Sequence, residues 1–209
     1  MNTLSREVPI DPAHAVLLII DVQNYCIGAK AGKSEYFRQR LRDTVLPNIR
    51  RLQTACRRAG IEVVYSVIEN MTRDGRDRSL DYKISGIDVP LGSKNAHVLE
   101  EIAPANEEMI FRKTSSSVFI STNIDYVLRN LGVRSLLVAG LMTDQCVESA
   151  VRDACDLGYL VTLVTDSCAT DSAERHEQSL IGIRGYCRQR RTEQLLSEIA
   201  ASQDLSRPS

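Results

Sequence analysis

No stretch of this sequence approaches the roughly 18 uninterrupted apolar residues that read as a membrane-crossing helix. The opening segment, MNTLSREVPIDPAHA, also lacks the apolar centre of a secretory signal. A cytoplasmic protein away from membranes is the expectation. The six cysteines, at 26, 56, 146, 155, 168 and 187, form no C-x-x-C pair and no regular spacing, which fits reduced thiols better than a disulfide framework. The three histidines, His14, His97 and His176, are scattered and carry no metal-ligand spacing. No metal and no cofactor is expected. An excess of one charge is lacking too: 26 basic residues stand against 27 acidic, a formal net charge of −1. That balance excludes a nucleic-acid or membrane partner held by bulk charge. The cluster Arg184, Arg188, Arg190 and Arg191 has no interleaved aromatics, so it reads as a solvated helix face. G-x-G-x-x-G, the P-loop and G-x-S-x-G are all missing, which removes the usual dinucleotide, nucleotide and serine-hydrolase readings.

What is present is an ordinary globular composition, 43% hydrophobic and 25% charged over 209 residues. That is enough for one sizeable core. Ala15 to Ile20, AVLLII, reads as a buried strand ending at Asp21. A helical stretch follows with apolar residues from Phe37 to Cys56; Pro47 inside it predicts a kink or a second helix starting there, and Gly60 ends it. Ile61 to Val67 is a second strand and Glu108 to Arg112 a third, followed at once by Lys113. A helix capped by Ser121 or Thr122 carries Ile124, Val127, Leu128 and Leu131. Tyr159 to Val164 is a further strand, and helices are expected over 173–183 and 192–200. Strands alternating with helices predict a three-layer, doubly wound α/β domain with a mostly parallel, roughly six-stranded sheet. One domain is expected over 1–209, with a core at 15–200 and a flexible tail at 201–209.

The stretch from Ser135 to Tyr159 carries the chemistry. Its apolar run, Leu136 to Ala139, is broken by Gly140, and Thr143 and Asp144 supply cap side chains for a helix with Val147, Ala150, Val151 and Ala154 on one face. Cys146 then falls in the first turn, where unpaired N–H groups favour an anion. Three strands thus end at Asp21, Lys113 and, across a turn, Cys146. In a parallel sheet such ends share one edge, so a carboxylate, an ammonium and a thiol can converge. A carboxylate taking a proton from a free thiol faces roughly 6 kcal/mol uphill. Burial of the acid, with a lysine and a helix terminus lowering the thiol, narrows that gap. The plainer readings stay open: an inert buried cysteine, an aspartate capping its turn, a solvated lysine. Glu69 to Gly92 is long and polar, either a solvated excursion or a wall over the strand ends.

The segments L-I-I-D-V-Q around Asp21, K-T-S-S-S-V-F-I-S-T-N-I from Lys113, and V-A-G-L-M-T-D-Q-C-V-E-S-A through Cys146 occur in this order. In them the chain resembles the isochorismatase-like cysteine hydrolases, the group of nicotinamidases and of N-carbamoylsarcosine, ureidoacrylate and biuret hydrolases. The resemblance spans Ala15 to about Gly185. It implies a Rossmann-like fold, Asp21 as general base, Cys146 as nucleophile and Lys113 as the stabilising cation. It also implies a cis peptide between Leu141 and Met142, aiming the N–H groups of Met142 and Cys146 at the substrate oxygen as an oxyanion hole. The activity implied is hydrolysis of a C–N bond through a thioester, without cofactor, in a homodimer or homotetramer. Candidate substrate contacts are Gln23, Tyr25, Ser117 and Phe119, with Glu69, Asn70, Tyr82 and Lys83 from the long loop. Together with Arg73 and Arg76 the loop residues suggest a small polar amide, ureido or carbamoyl substrate. Nicotinamidases carry an Asp-x-His metal motif where this chain has Glu69, Asn70 and Met71; isochorismatases proper cleave a vinyl ether and lack the cysteine. A vinyl-ether hydrolase and a non-catalytic binding protein of the same fold are the alternatives.

Overall fold

The chain was analysed as a computed structural model that describes residues 4–28, 32–105 and 107–205. Strand β1, Ala15–Ile20, is buried along its whole length. Its side chains divide by parity, Leu17 and Ile19 into one core and Val16, Leu18 and Ile20 into another, because successive strand residues point to opposite faces. A sheet covered on both sides explains the unbroken apolar run. After a single turn, α1 (Asn24–Ile27), come α2 (Glu35–Arg40), a π-helical turn over Leu41–Val45, and α3 (Leu46–Ala59). The break expected near Pro47 is this π turn. Pro47 itself sits in the first turn of α3 directly after the π turn, so its missing N–H interrupts the ladder at the point where the helix widens. Gly60, at φ 72°, closes α3 as a left-handed cap.

Strand β2 is Glu62–Ile68, helix α4 Leu80–Ile84 and strand β3 Ile110–Lys113. Two short helices follow, α5 (Val118–Ser121) and α6 (Ile124–Asn130). Strand β4, Ser135–Leu141, leads through a π-helical turn over Thr143–Val147 into α7, Glu148–Asp156. The chain ends with β5 (Leu160–Ala169), α8 (Ala173–Ile183), β6 (Arg188–Arg190) and α9 (Thr192–Leu205). The six strands lie in the order β3-β2-β1-β4-β5-β6, and every neighbouring pair is parallel. The order reverses between β1 and β4, and in such sheets a crevice opens outside the carboxyl ends at that point. Among the described residues, no helix is long and apolar enough to cross a membrane.

Several local expectations are corrected. Gly140 does not break β4; the strand continues through it to Leu141. Its φ is +130°, and a Cβ there would lie 2.1 Å from the Ile20 carbonyl oxygen. Glycine is what lets β4 pass so close to β1. Thr143 and Asp144 do not cap the following helix: Met142 holds that position without a side-chain cap. The Thr143 hydroxyl meets His176 instead, and Asp144 pairs with Arg175. Helix α6 starts at Ile124, with Thr122 Oγ1 accepting the Ile124 N–H, while Ser121 accepts from Thr114. Arg188 and Arg190 lie on β6, not on a helix, and pair with Glu198 and Glu7. Helix α9 runs past Ala200 to Leu205, so the expected tail is helical as far as that residue; 206–209 lie outside the described residues.

The long loop is folded rather than solvated. Asn70 donates to Asp88, Arg78 to the Ile87 carbonyl, and Asp77 accepts the N–H groups of Met71 and Thr72. Tyr82 and Val89 pack with Ile68 and Ala96 in a small core of their own. This fixes α4 over the ends of the strands.

Candidate active site

Asp21 follows β1, is 1% exposed, and sits at φ 54°, a left-handed conformation that aspartate tolerates better than most residues. Its Oδ1 accepts from Ser66 Oγ at 2.9 Å, and its Oδ2 lies 2.8 Å from Lys113 Nζ. Lys113 closes β3 two strands away, and its long stem carries the ammonium past the end of β2. The ammonium is fully buried and donates to the Tyr82 hydroxyl and the Ser115 carbonyl, each at 2.8 Å, and to Cys146 Sγ at 3.4 Å. Burial opposes its charge, but Asp21 and then Cys146 outweigh it and hold Lys113 above its ordinary value. Cys146 lies in the π turn after β4 and is 5% exposed. Burial pushes its thiol up to about 11; Lys113 opposes this and the Asp21 carboxylate adds to it. Lys113 does act to lower the thiol, as expected, but desolvation is the larger effect and the net direction is upward. Desolvation thus favours the protonated sulfur in the resting site.

Asp21 and Cys146 line a cavity of about 430 Å³, a size suited to a small molecule, and the Lys113 ammonium lies buried behind them. The peptide bond between Leu141 and Met142 is cis, and both residues line the cavity beside Cys146. Lys33, Tyr25 and Cys26 form one wall, and Asp81, Tyr82, Ser85, Gly86 and Ile87 from the long loop form another. Cys26 donates its S–H to the Asp21 carbonyl at 3.0 Å, and burial pushes this thiol up to about 12. Among the described residues, no group of three or more His, Cys, Asp or Glu side chains is arranged to hold a metal ion.

A model of the family described as "Isochorismatase domain" matches residues 15–194. The chain belongs to the isochorismatase family. Within that family it is 33% identical over 185 residues to a protein of Arabidopsis thaliana named "Probable inactive nicotinamidase", covering 82% of this chain and 88% of that one. It is 25% identical to the ureidoacrylate amidohydrolase RutB of Acinetobacter baylyi, covering 86% and 80% of the two chains. Its fold is that of a cysteine hydrolase from Pseudomonas syringae pv. phaseolicola, with a TM-score of 0.84 at 23% identity over 97% of this chain and all of that one, 100%.

Of the expected substrate contacts, Tyr25 and Tyr82 line the cavity. The other six are engaged elsewhere. Gln23 is wholly buried, donating to the carbonyls of Ile68 and Asn95 and accepting from the Ile68 N–H. Glu69 accepts from the Gly92 N–H and pairs with Arg112, and Asn70 is held by Asp88. Lys83 donates to the Arg76 carbonyl on the exposed side of the loop. Ser117 caps α5 through the Phe119 N–H, and Phe119 packs against Tyr159 with ring centroids 6.0 Å apart. Polar residues at the right sheet edge serve the backbone there, which the sequence does not distinguish from facing a ligand. Lys33, Asp81, Ser116 and Gln145 line the cavity and were not expected. Ser116 and Gln145 fall inside the segments that end at the site and Asp81 in the long loop, while Lys33 follows Asp21 by twelve residues and carries no signal of its own.

Proposed function

We propose that this isochorismatase-family hydrolase cleaves the C–N bond of a small amide, ureido or carbamoyl compound through a thioester on Cys146. The observation that carries this reading is the buried lysine ammonium, 2.8 Å from Asp21 Oδ2 and 3.4 Å from Cys146 Sγ, behind a cavity that the aspartate and the cysteine both line. Because burial keeps the thiol protonated, sulfur attack and proton removal proceed together. The S–H bond breaks towards Asp21 as the C–S bond forms at the substrate carbonyl. Lys113 neutralises the charge passing between sulfur and carboxylate. The N–H groups of Met142 and Cys146 receive the developing oxyanion. Asp21 then hands its proton to the departing nitrogen, and the same carboxylate activates water to release the acid or carbamate.

Lys113 has four partners and none of its three protons to spare. Lys33 makes a single ion contact, 3.4 Å to Asp171, above the Phe37 ring, and suits an anionic or strongly polar substrate end. No step of this route draws on a cofactor or metal. Assembly as a homodimer or homotetramer belongs to the same expectation. The name of the Arabidopsis relative favours a second reading, a binding protein without turnover. A panel of small amides, ureido acids and carbamoyl compounds, assayed for ammonia release, separates them. Release by the wild type and its loss by at least about a thousandfold in Cys146→Ala is expected. No release from any member favours the binding protein, and full turnover by Cys146→Ala on a substrate of its own favours a vinyl-ether route.

A further inference from the structure

We infer that Tyr82 is a further catalytic residue, its phenol O–H turning onto the Cys146 sulfur as that sulfur gives up its proton. The inference rests on the nucleophilic role proposed for Cys146. The Tyr82 side chain is 1% exposed, and its hydroxyl stands at the centre of the buried cluster. It accepts a hydrogen bond from Lys113 Nζ at 2.8 Å, donates to the Ser115 carbonyl at 2.9 Å, and lies 3.6 Å from Cys146 Sγ. The phenol has one proton and two acceptors in reach of it. With sulfur protonated, the carbonyl is the better acceptor. With sulfur anionic, a charge-assisted bond to the sulfur is the stronger one.

The switch leaves nothing buried without a partner. The Ser115 carbonyl keeps its second donor, Lys113 Nζ at 2.8 Å, so releasing the phenol does not orphan it. The tyrosine oxygen keeps Lys113 as its donor throughout. The proton balance is simple: the S–H proton goes to Asp21, and the phenol proton stays on its own oxygen and changes only its acceptor. The ammonium and the phenol reach the sulfur side by side, 2.8 Å from one another, the lysine supplying charge and the phenol a second directed donor. Tyr82 also comes from α4 of the long loop rather than from the sheet. That loop therefore does more than wall the cavity; its seating sets how readily Cys146 ionises.

Alkylation of Cys146 by iodoacetamide reports this without any knowledge of the substrate. Site-resolved peptide mass spectrometry distinguishes Cys146 from the other five thiols, and the rate is followed from pH 7 to 10. Tyr82→Phe removes only the hydroxyl, and the Cys146 rate should fall about tenfold across that range, one lost donor to the thiolate. Replacing Tyr82 with 3-fluorotyrosine keeps the shape and strengthens the donor, so the rate should rise. This second variant decides the matter if Tyr82→Phe does not fold. An unchanged Cys146 rate in either folded variant overturns the role of Tyr82 and leaves the nucleophile intact. A wild-type Cys146 that resists alkylation even at pH 10, while the half-buried Cys155 reacts, overturns the nucleophile reading and this inference with it.

Discussion

Asp21 and Lys113 are a wholly buried ion pair: Ser66 donates to Asp21 Oδ1, the Tyr82 hydroxyl and Ser115 carbonyl accept from the ammonium, and Asp21 Oδ2 has the lysine charge with no hydrogen bond beside it among the described residues. Such a pair contributes little net stability, yet breaking it is costly, because the survivor is a buried charge with no counter-charge. Lys113→Met should therefore remove about 3–5 kcal/mol of stability as well as activity. Adding Asp21→Asn should recover a large part of the stability and none of the activity. Urea unfolding of the two variants checks this, and equal stability of Lys113→Met and wild type would contradict the pairing. Asp21 and Lys113 are legible in the sequence because one follows and the other ends a strand, and Cys146 because it lies one turn beyond the apolar run of a third. The state of the thiol is not, since its height depends on how completely the folded chain excludes water from the sulfur.

At the scale of elements, the turn that carries Cys146 is held from α8. His176 Nε2 lies 3.0 Å from the Arg40 guanidinium and Nδ1 2.8 Å from the Thr143 hydroxyl. Arginine cannot accept, so Nε2 is the acceptor and the proton sits on Nδ1, donating to Thr143. Ser179, one turn further along α8, donates to the Thr143 carbonyl. Burial, and after it Arg40, lowers His176 to about 4 from an ordinary 6.5. The charged groups acting on it are Arg40 from α2 and Asp144 from the turn; Glu148 from α7 is taken up by Ser179 and Arg152, and Arg175 on its own helix by Asp144 and Asp171. The unfolded chain takes up this proton at higher pH than the folded one, so stability falls as the pH drops from about 6.5 towards 4. The full effect is on the order of 3 kcal/mol. Urea melts across that range should show the slope in the wild type and lose it in His176→Asn, whose amide can still donate to Thr143; a slope unchanged in the variant would contradict the assignment. Element boundaries follow the same logic. Gly140 looks like a strand terminator until β1 is beside it, and β6 has no apolar pattern to find because Arg188 and Arg190 are satisfied by Glu7 and Glu198 rather than by a core.

For the whole molecule, the sheet reversal between β1 and β4 places Asp21 and the Cys146 turn at adjoining strand ends; alternation of strands and helices implied only that the ends share one edge. The strand order itself, and the folding of the long loop onto Tyr82, come from pairings that local patterns do not encode. A buried reduced-thiol interior has a global consequence. Desolvation lifts Cys26, Cys56, Cys168 and Cys187 to about 12 and Cys146 to about 11, from an ordinary 9.0. The folded chain holds these protons to higher pH than the unfolded one, so this stability is complete below about pH 9 and is lost as the pH climbs towards 12. Denaturation midpoints should decline steadily from pH 9 to 11, and a flat profile would mean that water reaches the thiols.

The central claim is a covalent bond between substrate and one sulfur. Acid quenching during turnover of a compound that releases ammonia, followed by peptide mass spectrometry, tests it directly. The account predicts an acyl adduct on the peptide containing Cys146 that vanishes when the substrate is exhausted. Turnover without that adduct, persisting at full rate in Cys146→Ala, would contradict it.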